Sequence, residues 1–190
     1  MGYDVAQFIF TDGAIKKFRR WVKKPRDCVI NAMELLGILG EQNADIARIL
    51  IGDVGAQIKQ IEDIFTIVEP AHNWNFFKFT NIQTLAQFTT HELKPQHAIF
   101  CGYTGDEGHV FLIAKGNLGG GRAKKSKVRK SRKSKVRNSQ KSGATGGYND
   151  NKVYYIDPQV DAVCNLDIPK CFNFIDKKNA YFILQHQPKQ

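Results

Sequence analysis

Several absences limit the classes to which this 190-residue chain can belong. No apolar run is long enough to span a bilayer, and the amino-terminal segment lacks the basic region and apolar core of a secretory signal. The four cysteines include no CxxC pair, which argues against a zinc ribbon and a disulfide scaffold, and the five histidines show no ligand spacing. We therefore expect a soluble intracellular protein, cytoplasmic or nuclear, with no metal, no cofactor and no membrane contact.

Acidic residues are absent from one long stretch. Eleven basic residues and no acid lie between Arg122 and Lys141, while the formal net charge of the whole chain is +10. The rest of the chain is therefore close to neutral. Residues 116–150 are glycine-rich at both ends and repeat the sequence Lys-Ser-Lys-Val-Arg, so they have too little apolar surface to fold. The pattern predicts a single domain over residues 1–190, with a disordered low-complexity insert between two of its strands.

The basic insert has two interpretations. In the first, it is a solvated loop that tolerates expansion. In the second, it has a function, either as an electrostatic attachment to nucleic acid or another polyanion or as a nuclear import signal. It contains no aromatic residue on which a base could stack, so binding would be non-specific and sensitive to salt. The partner-binding stretch would be residues 122–141, and its candidate polyanion-binding residues are Lys124, Lys125, Lys127, Arg129, Lys130, Arg132, Lys133, Lys135 and Arg137.

Helical patterns dominate the first half of the chain and strand patterns dominate the second. Apolar spacing predicts helices over 15–22, 28–39 (with Gly40 as the C-cap), 43–51, 55–61 and 81–88. Alternation and β-branched residues predict strands over 64–68, 76–79, 97–103, 109–115, 152–156 and 180–185. Helices first and antiparallel strands later indicate an α+β domain, in which amino-terminal helices pack on an antiparallel sheet.

Cys28 has the position of a nucleophile. It follows Pro25 and Asp27, a good N-cap, and it precedes an apolar pattern with helical spacing. The first turn of a helix has free backbone N–H groups and a positive dipole end, which stabilise a thiolate. The backbone N–H of Cys28 would also serve as an oxyanion donor. Taken by itself, however, this cysteine is more simply a small core residue, since free cysteine is among the most buried residue types.

His109 and Asp157 complete a possible catalytic triad. His109 opens one apolar strand, and Asp157 ends another, where Pro158 stops it. If the two strands form an antiparallel hairpin, both side chains lie at the same end of the sheet. The carboxylate could then orient the imidazole, whose other nitrogen would face the thiol. Taken singly, His109 is most simply a strand-end histidine and Asp157 the start of an Asp-Pro turn.

These three motifs together resemble the papain-like cysteine peptidase superfamily, in particular its compact C39-like and viral members. The resemblance implies a papain-like fold with Cys28 as nucleophile, His109 as general base and acid, and Asp157 as orienting carboxylate. The chain departs from the pattern at Val29, where many members have Gly or Trp. It departs again at Val22, where many have an oxyanion-hole glutamine; Gln7 is the nearest upstream glutamine.

The resemblance implies a thiol hydrolase that cleaves peptide or isopeptide bonds in a protein or peptide substrate. Such an enzyme could act in viral protein processing or in deubiquitination. A viral protein could also be located in the virion, besides the cytoplasm or nucleus. The loop 102–108 is expected to line the cleft, and its acids to favour basic substrate residues. One alternative is a catalytically inactive papain-like protein that binds capsid or nucleic acid. Another is a glutamine deamidase or acyltransferase that uses the same triad.

Overall fold

The fold is mixed, with helices on an open antiparallel sheet. The computed structural model describes residues 4–10, 26–52, 55–116, 152–160, 162–166 and 180–190. Over these residues it has four helices, α1 (Cys28–Leu35), α2 (Glu41–Ile51), α3 (Ile58–Val68) and α4 (Ile82–Glu92). The strands are β1 (Phe8–Ile9), β2 (His72–Phe79), β3 (His97–Tyr103), β4 (His109–Lys115), β5 (Val153–Asp157), β6 (Ala162–Asn165) and β7 (Tyr181–Pro188).

The seven strands form one sheet. Their order is β2-β7-β3-β4-β5-β6, all described pairs are antiparallel, and the short β1 also pairs with β3. β3 and β4 are adjacent in sequence and fully paired, from His97 opposite Lys115 to Tyr103 opposite His109. β4 then pairs with β5, so the predicted hairpin around the insert is confirmed.

Both faces of the sheet are covered by helices. Alternate residues of β4 face opposite sides, and Leu112 belongs to a core formed with α1, α2 and α3. Phe111 and Ile113 belong to a second core, which contains Ile82 and Leu85 of α4. The central strands are therefore almost continuously apolar, as strands buried on both faces must be.

The structure corrects three predictions about the elements. Residues 64–68 are not a strand, because Ile61, Ile64, Phe65 and Val68 continue the apolar stripe of one helix, which begins at Ile58 after a Gln57–Gln60 capping box. Helix α1 is shorter than predicted and ends at Leu35. Gly40 is the N-cap of α2 rather than a C-cap. The positive φ near the end of α1 belongs to Gly37 instead, a backbone conformation that glycine adopts without strain.

Some predictions lie outside the described residues. These are the helix over 15–22, Val22, and nearly all of the insert, since the description stops at Gly116 and resumes at Lys152.

Cys164 is disulfide-bonded, which the cysteine spacing did not predict. Among the described residues, no helix has the length and apolar character needed to cross a bilayer.

Candidate active site

A cleft opens at the end of the sheet where β3 ends and β4 begins. Its volume is about 690 Å³, and both Cys28 and His109 line it. One side is apolar, with Ala56, Ile58 and Ile61 at the start of α3. The other side is the β3–β4 loop, including Thr104, Asp106 and Glu107, as the sequence predicted. The floor consists of Val29, Val110 and Phe182.

Cys28 is the first residue of α1 and is half-buried at the cleft. The next residues, Val29 and Ile30, are buried in the core between helices and sheet, which fixes the helix against β4. The first N–H groups of a helix have no acceptor within it, so the Cys28 backbone N–H can donate to a ligand. The position predicted for the cysteine is therefore confirmed.

Asp27 occupies the N-cap position, but its side chain makes no capping hydrogen bond. Its carboxylate instead accepts a 2.7 Å hydrogen bond from Arg48 Nε of α2. The expectation that Asp27 caps through its side chain is thus wrong, because a guanidinium from the neighbouring helix holds the carboxylate.

His109 and Asp157 are in direct contact. His109 Nε2 lies 2.7 Å from Asp157 Oδ2. The β4–β5 register explains the contact, because Leu112 pairs with Ile156. This register brings the start of β4 and the end of β5 to the same end of the sheet. The sequence prediction that these two residues meet at one end of the sheet is confirmed.

Asp157 is a buried carboxylate with three hydrogen-bond donors. It is 5% exposed and accepts from His109, from the Tyr155 hydroxyl at 2.9 Å and from the Gln159 backbone N–H at 2.9 Å. Burial favours the neutral acid, but these bonds outweigh it and lower the pKa of Asp157 below its ordinary value. Burial beside the carboxylate raises the pKa of Tyr155 far above its ordinary value, so the hydroxyl remains a donor.

The imidazole of His109 lies between an acid and a thiol. Burial alone would lower the pKa of His109, but hydrogen bonds to Asp157 and Cys28 and the charges of both groups raise it to about 9. Since Nε2 donates to Asp157, Nδ1 is the atom available to the thiol. The ring of Tyr103 stands beside that of His109, with centroids 5.9 Å apart. The raised pKa favours the imidazolium form of His109 at neutral pH.

Gln7 does not belong to this cleft. Its Nε2 donates to the Glu92 carbonyl oxygen and its Oε1 accepts from the Lys94 N–H, so the amide joins β1 to the end of α4. The interpretation of Gln7 as an oxyanion donor is therefore not supported by its position. The candidate polyanion-binding residues 124–137 lie outside the described part of the chain.

Sequence reasoning missed three residues around the triad. Gln159 lines the cleft, Asn31 donates from Nδ2 to Gln159 Oε1 at 3.2 Å, and Arg48 donates to Asn31 Oδ1 at 3.1 Å. Asn31 could have been found from the sequence, because it is the one amide within an otherwise apolar stretch of α1. In the structure its side chain is buried. A buried amide requires polar partners.

Comparisons with known proteins identify no relative: no family model matches the chain, and no curated protein is significantly similar to it. The described residues also contain no cluster of three or more side chains suited to hold a metal ion.

Proposed function

We propose that this protein is a papain-like thiol hydrolase that cleaves peptide or isopeptide bonds. The observation that carries the proposal is His109, held on one side by the buried Asp157 carboxylate and sharing its cleft with Cys28, which stands at a helix N-terminus and helps to raise the pKa of the imidazole. A structural histidine at a strand end needs only one of these partners. The two together match the relation of nucleophile, base and orienting group.

In the acylation step, the Cys28 thiolate attacks the carbonyl carbon of the substrate. A C–S bond forms while the carbonyl π electrons move to oxygen, and the Cys28 backbone N–H donates to that oxyanion. Collapse of the intermediate breaks the C–N bond. The His109 imidazolium donates its Nδ1 proton to the departing amine, and Asp157 stabilises the imidazole tautomer that remains.

In the deacylation step, neutral His109 takes a proton from water while the water oxygen attacks the thioester carbonyl. The C–S bond breaks, and its electron pair stays on sulfur as thiolate. The product acid leaves, and His109 is again protonated beside Cys28. The pKa of His109 near 9 makes the protonated resting form dominant at neutral pH.

The cleft walls indicate the form of the substrate. Ile58 and Ile61 offer an apolar surface, whereas Asp106 and Glu107 offer carboxylates on the opposite loop. An extended peptide between the walls would therefore place an apolar side chain towards α3 and a basic side chain towards the loop. Processing of a viral protein, or removal of ubiquitin, would supply such substrates.

Reaction of Cys28 with an electrophile tests this proposal. We expect iodoacetamide or a peptide vinyl sulfone to label Cys28 rapidly near neutral pH, and His109→Ala to slow that labelling to the rate of an ordinary thiol. Peptide mapping by mass spectrometry assigns the labelled residue. Cys101→Ala is the matched control, because Cys101 is fully buried in β3 and its removal should leave the labelling rate unchanged.

The same experiment separates the alternatives. Labelling of wild-type protein at the rate of an ordinary thiol would contradict the hydrolase and favour an inactive papain-like binding protein. Rapid labelling without cleavage of any peptide library, but with conversion of glutamine to glutamate or transfer of an acyl group, would favour a deamidase or acyltransferase that uses the same three residues.

The basic insert is proposed to localise the enzyme rather than to shape its cleft. The hairpin supports this separation, because Lys115 pairs with Val153 and Gly116 donates to Lys152 at the end of β4 opposite His109. The six steps along β4 from His109 to Lys115, at roughly 3.3 Å each, put the ends of the insert about 20 Å from the triad. Residues 122–141 would contact nucleic acid or another polyanion without sequence preference.

A further inference from the structure

Arg48 of α2 bonds three side chains at the helix that begins with Cys28 and one, Asp45, on its own helix. From α2 it donates Nε to Asp27 at 2.7 Å, Nη2 to Glu34 and to Asn31, and Nη1 to Asp45 at 3.1 Å. The Arg48 side chain is only 11% exposed, and the side chains of Asp27 and Glu34 are 12% and 9% exposed. An arginine with this many partners fixes their geometry, since its donors form a rigid planar fork.

The position of Asp27 links this cluster to the reactivity of Cys28. Asp27 directly precedes Cys28, and a neighbouring carboxylate disfavours formation of a thiolate. Its side chain does not cap the helix, so capping does not neutralise it. The partner of that carboxylate is Arg48, which places a positive charge beside the negative one at the start of α1.

The guanidinium also reaches the other half of the site. Because Arg48 donates to Asn31 Oδ1, the Asn31 Nδ2 group must be the donor to Gln159 Oε1. The Gln159 backbone N–H in turn donates to Asp157. A substitution of Arg48 would therefore disturb both the charge near Cys28 and the turn that follows Asp157.

We propose that Arg48 is a positioning residue that cancels the charge of Asp27, and so permits the thiolate–imidazolium pair of Cys28 and His109. This inference rests on the proposed function. It predicts that the charge of Asp27, rather than the bonds of the cluster in general, controls the reactivity of Cys28. Glu34 provides the comparison, because it bonds the same guanidinium but stands nearly two helical turns further along α1.

The rate at which iodoacetamide labels Cys28, measured across pH, tests this proposal. Asp27→Asn keeps Arg48 and removes the adjacent negative charge, so we expect half-maximal labelling to move to lower pH by about one unit. Glu34→Gln should move it much less. Arg48→Met should slow labelling at neutral pH about tenfold, and the double substitution Arg48→Met with Asp27→Asn should recover most of that loss.

The outcomes distinguish the inference from the function on which it rests. Rapid wild-type labelling that depends on His109, with equal shifts or no shift in Asp27→Asn and Glu34→Gln, would overturn the role of Arg48 and leave the hydrolase intact. Wild-type labelling at the rate of an ordinary thiol would contradict the hydrolase itself. If Arg48→Met does not fold, the comparison of Asp27→Asn with Glu34→Gln still shows whether the charge of Asp27 controls the reactivity of Cys28, because both variants retain the arginine.

Discussion

The two ends of the β4–β5 hairpin differ in almost every physical property. At one end, the buried Asp157 carboxylate accepts hydrogen bonds at both of its oxygens, one of them from His109. At the other end, Gly116 and Lys152 lead into a segment whose sequence is basic and glycine-rich. The two ends of the hairpin therefore separate the His109–Asp157 site, which depends on burial and fixed geometry, from the basic insert, whose charge depends on neither.

This difference bears on which end of the hairpin could serve the proposed hydrolysis. A hydrogen bond to a buried carboxylate is worth more than one at the surface, and its geometry is imposed by the strands that carry it. A run of like charges in solvent acts by counterion release and needs no fixed geometry. Changes at the His109 end should therefore have large effects on chemistry, and changes at the insert end should have small ones.

The largest effect in this comparison is expected for Asp157→Asn. The amide cannot stabilise the imidazolium and favours the wrong tautomer, so we expect peptide hydrolysis to fall roughly a thousandfold. The measurement is kcat/KM on a peptide substrate, with thermal unfolding to show that the fold remains. Asp63→Asn, at an exposed ion pair with Lys59 on α3, is the control and should leave hydrolysis unchanged. Equal activity of Asp157→Asn and wild type would remove Asp157 from the mechanism.

The second effect concerns stability and pH. His109 has a pKa of about 9 in the folded protein against an ordinary value of 6.5, so folding binds its proton more tightly. This contribution is fully present below pH 6.5 and is lost as the pH rises through about 9; it is on the order of 3 kcal/mol. Urea unfolding at several pH values should show that the free energy of unfolding of the wild type declines over this pH range, and that the free energy of His109→Gln depends less on pH. Parallel profiles would refute the stabilised imidazolium.

A smaller effect is expected for Tyr155→Phe. The substitution removes one of three donors to Asp157 but leaves His109 and the Gln159 backbone N–H in place. We expect kcat to fall a few-fold and the pKa of Asp157 to rise towards its ordinary value. Tyr154→Phe is the matched control, since Tyr154 precedes it on β5 and faces the other side of the sheet. Equal losses in both variants would indicate a general effect on the strand.

The smallest effect on chemistry is expected at the insert. Deletion of residues 120–147 should leave hydrolysis of a short uncharged peptide within about twofold of wild type, because the insert roots lie on the order of 20 Å from the triad. The same deletion should abolish salt-sensitive retention on a polyanion column. An insert of the same length, with its Lys and Arg replaced by Gln, separates the effect of charge from that of chain length. Loss of hydrolysis on deletion would contradict the separation of the two ends.

The triad positions could be predicted from sequence because each depends on local rules. Helical spacing placed Cys28 in a first turn, and the antiparallel pairing of two apolar strands brought His109 to Asp157. Arg48 could not be found in this way, because its contacts with Asp27 and Asn31 depend on how two helices pack. The strand predicted over 64–68 failed for a related reason: a short apolar run with β-branched residues fits either a strand or one face of a helix, and the packing of Phe65 against the sheet decided for the helix.

The titration of the His109 ring by NMR tests the central claim most directly. The account predicts that the imidazole of His109 titrates with a pKa of about 9 in wild type, and that the pKa falls in Cys28→Ala, where the hydrogen bond and charge of the sulfur are absent. A pKa near 6.5 in wild type, unchanged by Cys28→Ala, would show that the thiol and the imidazole do not form a pair.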